Sequence, residues 1–358
     1  MGSIAVGSPV TLVVVGAGII GTKHASLISQ SADAHLLAII DPTPIGRELA
    51  FSYNCAYFAD VESLLSRSSE LPDGAIICTP NETHVPIARK LASAGIHLLI
   101  EKPVSTSVDD GHELLRFCRD REVRVAVGHH RRLHAAILSA KSALEAGSIG
   151  TVVGVSGLWA ALKTDSYFAG VGAWRRGPTA GVVLINLIHE LDLLQYLIGP
   201  ITRVHAEKSV STRGYQAEEG AAISIRFANG VIGTFLVLDN SPSPFNIERG
   251  TGENEVFPFA GKDSYRIFGR YGVLSVPDNL IWNPVSLEKG WYSELTETHL
   301  EHQEQDVYQR QMENFIRVVR NQEKPSCSGE DGLAAVAVCE AVKESLATGE
   351  PASVRTVI

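Results

Sequence analysis

Gly16-Ala17-Gly18-Ile19-Ile20-Gly21 stands directly after the β-prone run Thr11–Val15 and opens a helical stretch that continues to about Ser31. A G-x-G-x-x-G placed between a strand and a helix reads as the phosphate turn of a dinucleotide-binding βαβ unit. In such a turn Gly16 permits the tight bend, Gly18 lets backbone approach a pyrophosphate, and Gly21 allows close packing of helix on strand. The helix start, with Ile19 and Ile20 in its first turn, offers unpaired N–H groups to the anion. Asp41 follows 20 residues after Gly21, at the end of the apolar run Leu36–Ile40, where a carboxylate binds a ribose 2′-hydroxyl. The same carboxylate repels a 2′-phosphate, so NAD is expected over NADP. Arg47, close by in sequence, pulls the other way.

The alternation continues. Apolar runs at Ala75–Cys78, His97–Ile100 and Val123–Val127 are separated by helical stretches near Gly46–Tyr53, Thr83–Ala94 and Val108–Arg121. Strands that are apolar on both faces and alternate with helices predict a doubly wound parallel sheet. This α/β Rossmann domain is expected over 9–128. At 358 residues and roughly 150 residues per domain, a second domain must follow, over 129–358. There a helix near Ala135–Ala146 leads into β-like segments at Thr151–Ala160, Ile201–Val210, Ala221–Phe227, Val231–Leu238 and Tyr265–Phe268, with an Asn229-Gly230 hairpin signal between two of them. Closely spaced strands joined by turns predict an α+β domain with a large, mostly antiparallel open sheet. Two long loops, Lys163–Pro178 and Asn240–Gly261, are candidates for binding groups, and helices near Tyr308–Arg320 and Glu330–Thr348 close the chain.

Charge and composition exclude several classes. The chain has 31 Lys+Arg against 40 Asp+Glu, a net charge of -9, which repels phosphate backbones and argues against general nucleic-acid binding. Five cysteines, Cys55, Cys78, Cys118, Cys327 and Cys339, contain no Cys-x-x-Cys pair, so neither a disulfide scaffold nor a structural zinc site fits. The apolar run Val10–Ile20 lacks the basic leader of a signal peptide. No stretch approaches the roughly 20 uninterrupted apolar residues of a membrane helix. Gly2 is followed at position 6 by Val6, which breaks the myristoylation pattern. A cytoplasmic protein in a reducing compartment is expected, without membrane or nucleic-acid partners.

Two further strand ends reach the same edge of the parallel sheet. Thr79-Pro80-Asn81-Glu82-Thr83-His84 follows the Ala75–Cys78 strand, and Glu101-Lys102-Pro103 follows His97–Ile100. Ligands of open parallel sheets bind at the carboxyl ends of the strands, which sets Lys102 beside the cofactor. Pro103 biases Lys102 toward an extended backbone. In the second domain Gly181–Leu194 is apolar nearly all round and is expected to be a buried helix. Asn186, His189 and Asp192 recur in it at spacings of three. Burying such groups without partners costs about 1–3 kcal/mol each, so a site is expected there.

Together, the glycine turn, Thr79-Pro80-Asn81 with His84, Glu101-Lys102-Pro103, Trp174-Arg175 and the Gly181–Asp192 helix resemble the Gfo/Idh/MocA oxidoreductases over about Val10–Val354. The resemblance implies a Rossmann domain plus an α+β domain whose open sheet often mediates oligomers, here a dimer or tetramer. It implies that Lys102 and His189 face the reacting carbon, with Thr79, Pro80, Asn81, His84, Glu101, Lys102, His130, Trp174 and Arg175 around the cofactor. Relatives often carry Asp four residues before the histidine, where this chain has Ile185; Asn186 is expected to substitute in part. His130 stands where relatives often have Asn.

Oxidising a secondary alcohol needs a hydride acceptor and a base. An imidazole serves near neutral pH, and a partly desolvated ammonium stabilises developing alkoxide charge. His189 is therefore expected as acid/base and Lys102 as its electrostatic partner, with exchange of their proton roles left open. Arg131, Lys163, Tyr167, Arg175 and Asn186, with Lys102 and His189, are expected to bind a sugar-like or polyol substrate; Asn246, Glu248 and Glu253 lie in the second long loop. His129, His130 and His134 do not make a metal site, because adjacent histidines diverge and no carboxylate completes the set. Three alternatives remain open at this stage. They are epimerisation or glycoside cleavage with retained NAD, imine reduction, and a non-catalytic NAD-binding regulator like the galactose-pathway repressor.

Overall fold

In the computed structural model, which describes residues 8–68, 70–177, 180–254, 256–303 and 305–357, the β-branched runs of the first half form a parallel sheet. Gly2 and Val6 of the acylation pattern, and Pro178 at the end of the first long loop, lie outside these residues. The elements are β1 (Val10–Val15), α1 (Ile19–Gln30), β2 (Ala34–Ile40), α2 (Pro44–Ser52), β3 (Ala56–Phe58), α3 (Val61–Arg67), β4 (Gly74–Ile77), α4 (His84–Ser93), β5 (His97–Ile100), α5 (Val108–Arg119) and β6 (Val125–Val127). The sheet order is β3-β2-β1-β4-β5-β6, which is the strand order of a dinucleotide-binding fold. β4 and β5 are buried at every position, as strands covered on both faces must be. Three-residue β3, α3 and the late start of β6 at Val125 depart from the sequence expectation.

The second unit comprises residues 131–305 and 337–356. It begins with α6 (Ala135–Glu145) and β7 (Val152–Ala160), then α7 (Ile188–Ile198), β8 (Ile201–Lys208), β9 (Gly220–Phe227), β10 (Ile232–Leu238), α8 (Ile247–Thr251), β11 (Tyr265–Gly269), β12 (Gly272–Val276), β13 (Leu280–Pro284) and β14 (Leu295–His299). Nine strands form one sheet, β14-β13-β12-β11-β7-β10-β9-β8-β15, where β15 is Ala352–Ser353. Every pairing is antiparallel except β7 with β10. In β9 and β10 burial alternates residue by residue, the period of a sheet covered on one face only. The opposite face leaves Ile232, Leu236 and Phe268 exposed.

The chain then returns to the first unit, which holds residues 306–336 as well as the N-terminal 130. α9 (Val307–Val319) places Met312, Phe315, Ile316 and Val319 in the same core as Val10, Leu12, Val14 and Ile76. These four recur at helical spacing, so one stripe of α9 covers the parallel sheet. The expected second domain runs over 129–358, whereas by compactness residues 306–336 group with the N-terminal unit. α10 (Gly329–Thr348) continues from there into the second unit.

Candidate active site

Three glycines shape the turn between β1 and α1. Gly16 has φ +97°, and a Cβ on it would lie 2.7 Å from the Cys78 carbonyl oxygen. A Cβ on Gly21 would lie 1.9 Å from Gly16 O, whereas around Gly18 there is nothing within 4 Å. The backbone is thus closed behind the turn and open at Gly18, where an anion approaches. Gly18 is the N-cap of α1 with no side-chain cap, so the first-turn N–H groups of Ile19 and Ile20 are available to a pyrophosphate. These residues fit a dinucleotide. Asp41 closes the other side. Its Oδ2 accepts from Ala17 N at 2.8 Å, and its Oδ1 accepts from Thr43 N at 2.8 Å and Thr43 Oγ1 at 2.5 Å. Arg47 lies with its guanidinium 5.2 Å from the centre of the Tyr57 ring.

The ends of β4 and β5 are tied together by His84. Its Nδ1 lies 2.7 Å from Pro103 O and its Nε2 2.8 Å from Thr79 O, and the ring is 1% exposed. Both ring nitrogens thus engage backbone carbonyls, and His84 builds the wall of the site. Thr79 Oγ1 accepts from Thr83 Oγ1 at 2.7 Å, while Pro80 is exposed and Asn81 half-buried. Behind Lys102 lies the Glu101 carboxylate, 3.5 Å from His24 Nε2. Burial alone raises this carboxyl, but the His24 bond and the charges of His130 and Lys102 outweigh it and hold it below its ordinary value. A Cβ on Gly128 would sit 2.8 Å from that carboxyl group. His130 stacks on Tyr308 at 4.5 Å between ring centres. Sequence reasoning missed His24 and Tyr308. His24 could have been found from its place three residues after Gly21, but nothing in the sequence marks Tyr308.

In the second unit, Gly181–Leu194 is not one regular helix. Val183–Leu187 form a π turn whose first N–H donates to Glu218 Oε1 at 3.0 Å, and α7 follows. Such turns re-aim side chains and are frequent at functional sites. His189, Glu190 and Asp192 are all buried. Asp192 accepts from Arg132 Nε and Nη2 at 2.9 and 2.7 Å, a bidentate pair. Arg131 was expected at the substrate. Its Nε, Nη1 and Nη2 donate to Glu253, Glu190 and Glu248 at 2.8, 2.7 and 2.6 Å. With its side chain 6% exposed, this guanidinium is committed to a buried ion cluster. Glu248 also accepts from Trp159 Nε1 at 2.8 Å. Burial pushes the Glu190 carboxyl up to about 8 despite Arg131.

Four other candidates meet in one place. Lys163 Nζ donates to Asn186 Oδ1 at 2.6 Å and lies 4.9 Å from the Tyr167 ring centre, and Arg175 covers the same ring at 4.0 Å. Arg175 Nη1 also donates to Tyr167 O at 2.8 Å. Neighbouring Trp174 is 54% exposed. Asp239, which the sequence did not single out, anchors the cluster by pairing with both Lys163 and Arg213. Burial lowers Lys163 to about 8, against the attraction of Asp239. Asn246 caps α8, and its Nδ2 donates to Ala160 O. Among the described residues no group of three or more His, Cys, Asp or Glu is placed to hold a metal ion.

Comparison with known proteins finds relatives along most of the chain. A family model described as an oxidoreductase family with an NAD-binding Rossmann fold matches residues 10–129, and its companion, the C-terminal alpha/beta domain of the same family, matches 141–354. Inositol 2-dehydrogenase of Rhizobium meliloti is 26% identical over 346 residues, which cover 93% of this chain and 96% of that protein. The 1,5-anhydro-D-fructose reductase of Ensifer adhaerens is 25% identical over 79% of this chain and 80% of its own length. Among solved structures, the WlbA dehydrogenase of Bordetella pertussis, crystallised with NADH and UDP-GlcNAcA, has a TM-score of 0.79 at 22% identity. That match covers 97% of this chain and 99% of the other.

Proposed function

We propose, because the chain belongs to the Gfo/Idh/MocA family of NAD-binding oxidoreductases, that it transfers hydride between NAD and a secondary alcohol or ketone of a sugar, cyclitol or related polyhydroxylated ring. The substrate class follows the relatives, an inositol 2-dehydrogenase and an anhydrofructose reductase. The observation that carries the reading is His189 itself, an imidazole buried beside Glu190 and Asp192 three positions after Asn186, whose amide is bonded to the Lys163 ammonium. A buried polar group with no task is selected against by its desolvation.

NAD supplies the hydride acceptor. Asp41 receives its ribose hydroxyls, and its negative charge disfavours the 2′-phosphate of NADP. His189 takes the hydroxyl proton as the alcohol is oxidised and returns it in reduction. Lys102, carried at the end of β5 with the Glu101 carboxylate behind it, stabilises the alkoxide that develops. Tyr167, Arg175 and Asn186 hold the ring's other oxygens, with Lys163 orienting Asn186. The test is an NADH-absorbance screen of polyols, aldoses and hydroxylated ring acids with wild type and Lys102→Ala. Turnover falls by about 100-fold or more in the variant, while NAD affinity moves far less. Equal losses in both contradict the assignment.

The exposed Ile232, Leu236 and Phe268 support a homo-oligomer formed through the open face of the nine-stranded sheet, which light scattering checks. Five free thiols and the absence, among the described residues, of a helix long and apolar enough to cross a membrane support a cytoplasmic site of action.

A further inference from the structure

Asn186 is held at one end only. Its Oδ1 accepts from Lys163 Nζ at 2.6 Å, and its Nδ2 has no partner among the described residues. An ammonium has three donors and no acceptor. The amide oxygen must therefore face Lys163, and both N–H bonds of Nδ2 face away from it. Lys163 is fixed in turn. Its backbone N donates to Asp239 O at 2.9 Å, its Nζ lies 3.2 Å from Asp239 Oδ2, and Asp239 is shared with Arg213. The contact with a positive charge also polarises the amide and strengthens the outer N–H groups as donors.

We propose that Asn186, oriented by Lys163, selects the substrate of this site in favour of a ring bearing an acceptor-only group, a carboxylate. The proposal rests on the function assigned above, since Asn186 precedes His189 by three positions, at the end of the π turn that leads into its helix. A hydroxyl also accepts from an N–H, but a carboxylate makes the stronger, charge-assisted bond. Asn186 touches substrate in this scheme, whereas Lys163 is a positioning residue that acts through it. Asp239, Arg213, Arg175 and Tyr167 are the titratable and charged groups around Lys163. When Lys163 loses its proton above about pH 8, the amine gains an acceptor and the amide is free to turn over.

The experiment pairs neutral and acidic rings: D-glucose with D-glucuronate, D-galactose with D-galacturonate, and myo-inositol with quinate. Each is titrated against the NAD-loaded protein by intrinsic tryptophan fluorescence and assayed for NADH formation. The acid member of at least one pair binds about tenfold tighter, the difference between a charge-assisted and a neutral hydrogen bond. Asn186→Asp abolishes or reverses that ratio. Lys163→Arg, also donor-only, retains it, while Lys163→Met loses it, and in wild type it declines above pH 8. Equal binding of both members, binding of neither, or a ratio unchanged in Asn186→Asp overturns the proposal. Tight binding of acids with no NADH formed instead leaves the selectivity standing and removes the dehydrogenase reading.

Discussion

Glu190 permits a quantitative test of the buried ion cluster. Its side chain is fully buried, one oxygen accepts from Arg131 at 2.7 Å, and the other, Oε2, has no partner among the described residues. Arg131 is shared with Glu248 and Glu253, so one positive charge faces three carboxyls and burial drives Glu190 from 4.5 up to about 8. Between those values the folded protein binds the Glu190 proton and the unfolded chain does not, so stability falls as pH rises through the window. The slope is about 1.4 kcal/mol per pH unit. From about pH 5.5 to about pH 7.5 the loss is about 2.5 kcal/mol, with the relief by Arg131 already contained in the raised value. Glu190→Gln is neutral throughout and keeps an oxygen for Arg131. Urea denaturation followed by tryptophan fluorescence is the assay, because all four tryptophans, Trp159, Trp174, Trp282 and Trp291, lie in the unit that holds Glu190. Titrations common to both proteins cancel in the comparison. The variant gains on wild type by the stated amount between the two pH values. Parallel stability curves, or a wild type that strengthens with pH relative to the variant, refute the reasoning.

Asp41→Ala removes the acceptor of three hydrogen bonds, so it lowers the NAD-to-NADP affinity ratio and also destabilises the turn by about 1–3 kcal/mol, read by calorimetry with each nucleotide and by thermal melting. Gly21→Ala drives a methyl to 1.9 Å from Gly16 O; NAD binding is lost and stability drops by about 1–3 kcal/mol, whereas a variant that binds NAD normally would place the turn elsewhere. Phe315→Ala empties a fully buried position of the first unit and costs about 3–5 kcal/mol. Because that unit contains no tryptophan, the loss appears in circular dichroism and leaves the fluorescence transition in place.

The parallel sheet was readable because most of its strands carry their own signal. β1, β2 and β5 contain the apolar runs 12–15, 36–40 and 98–100, the composition that burial on both faces demands. β3 is three residues long, too short for any period to show. α9 displays its stripe of Met312, Phe315, Ile316 and Val319 openly, but periodicity states only that a helix is covered on one side. Which of two sheets covers it depends on where the chain returns, and that is decided more than 290 residues from the strand β1 that shares its core.

The same distinction separates the glycine turn, which a local pattern displays, from the buried charges, which it does not. What Gly16, Gly18 and Gly21 do is decided within a few residues of each, by the φ of one and the space around the others, so a local pattern is enough. A buried charge is defined instead by its partners. Arg131 meets Glu190, Glu248 and Glu253 across 59, 117 and 122 residues, and His84 meets Pro103 across 19. A free arginine beside a predicted strand end and an arginine claimed by three carboxylates have identical sequence surroundings. The asymmetry also explains why Asn186 can be assigned a direction only from coordinates: its type is legible, but which end of the amide faces the ligand is set by Lys163, 23 residues away, and by the Asp239 that holds Lys163 in turn. Selectivity at such a residue therefore belongs to the chain of contacts behind it, and a substitution at Lys163 should change what the site prefers without touching the ligand at all.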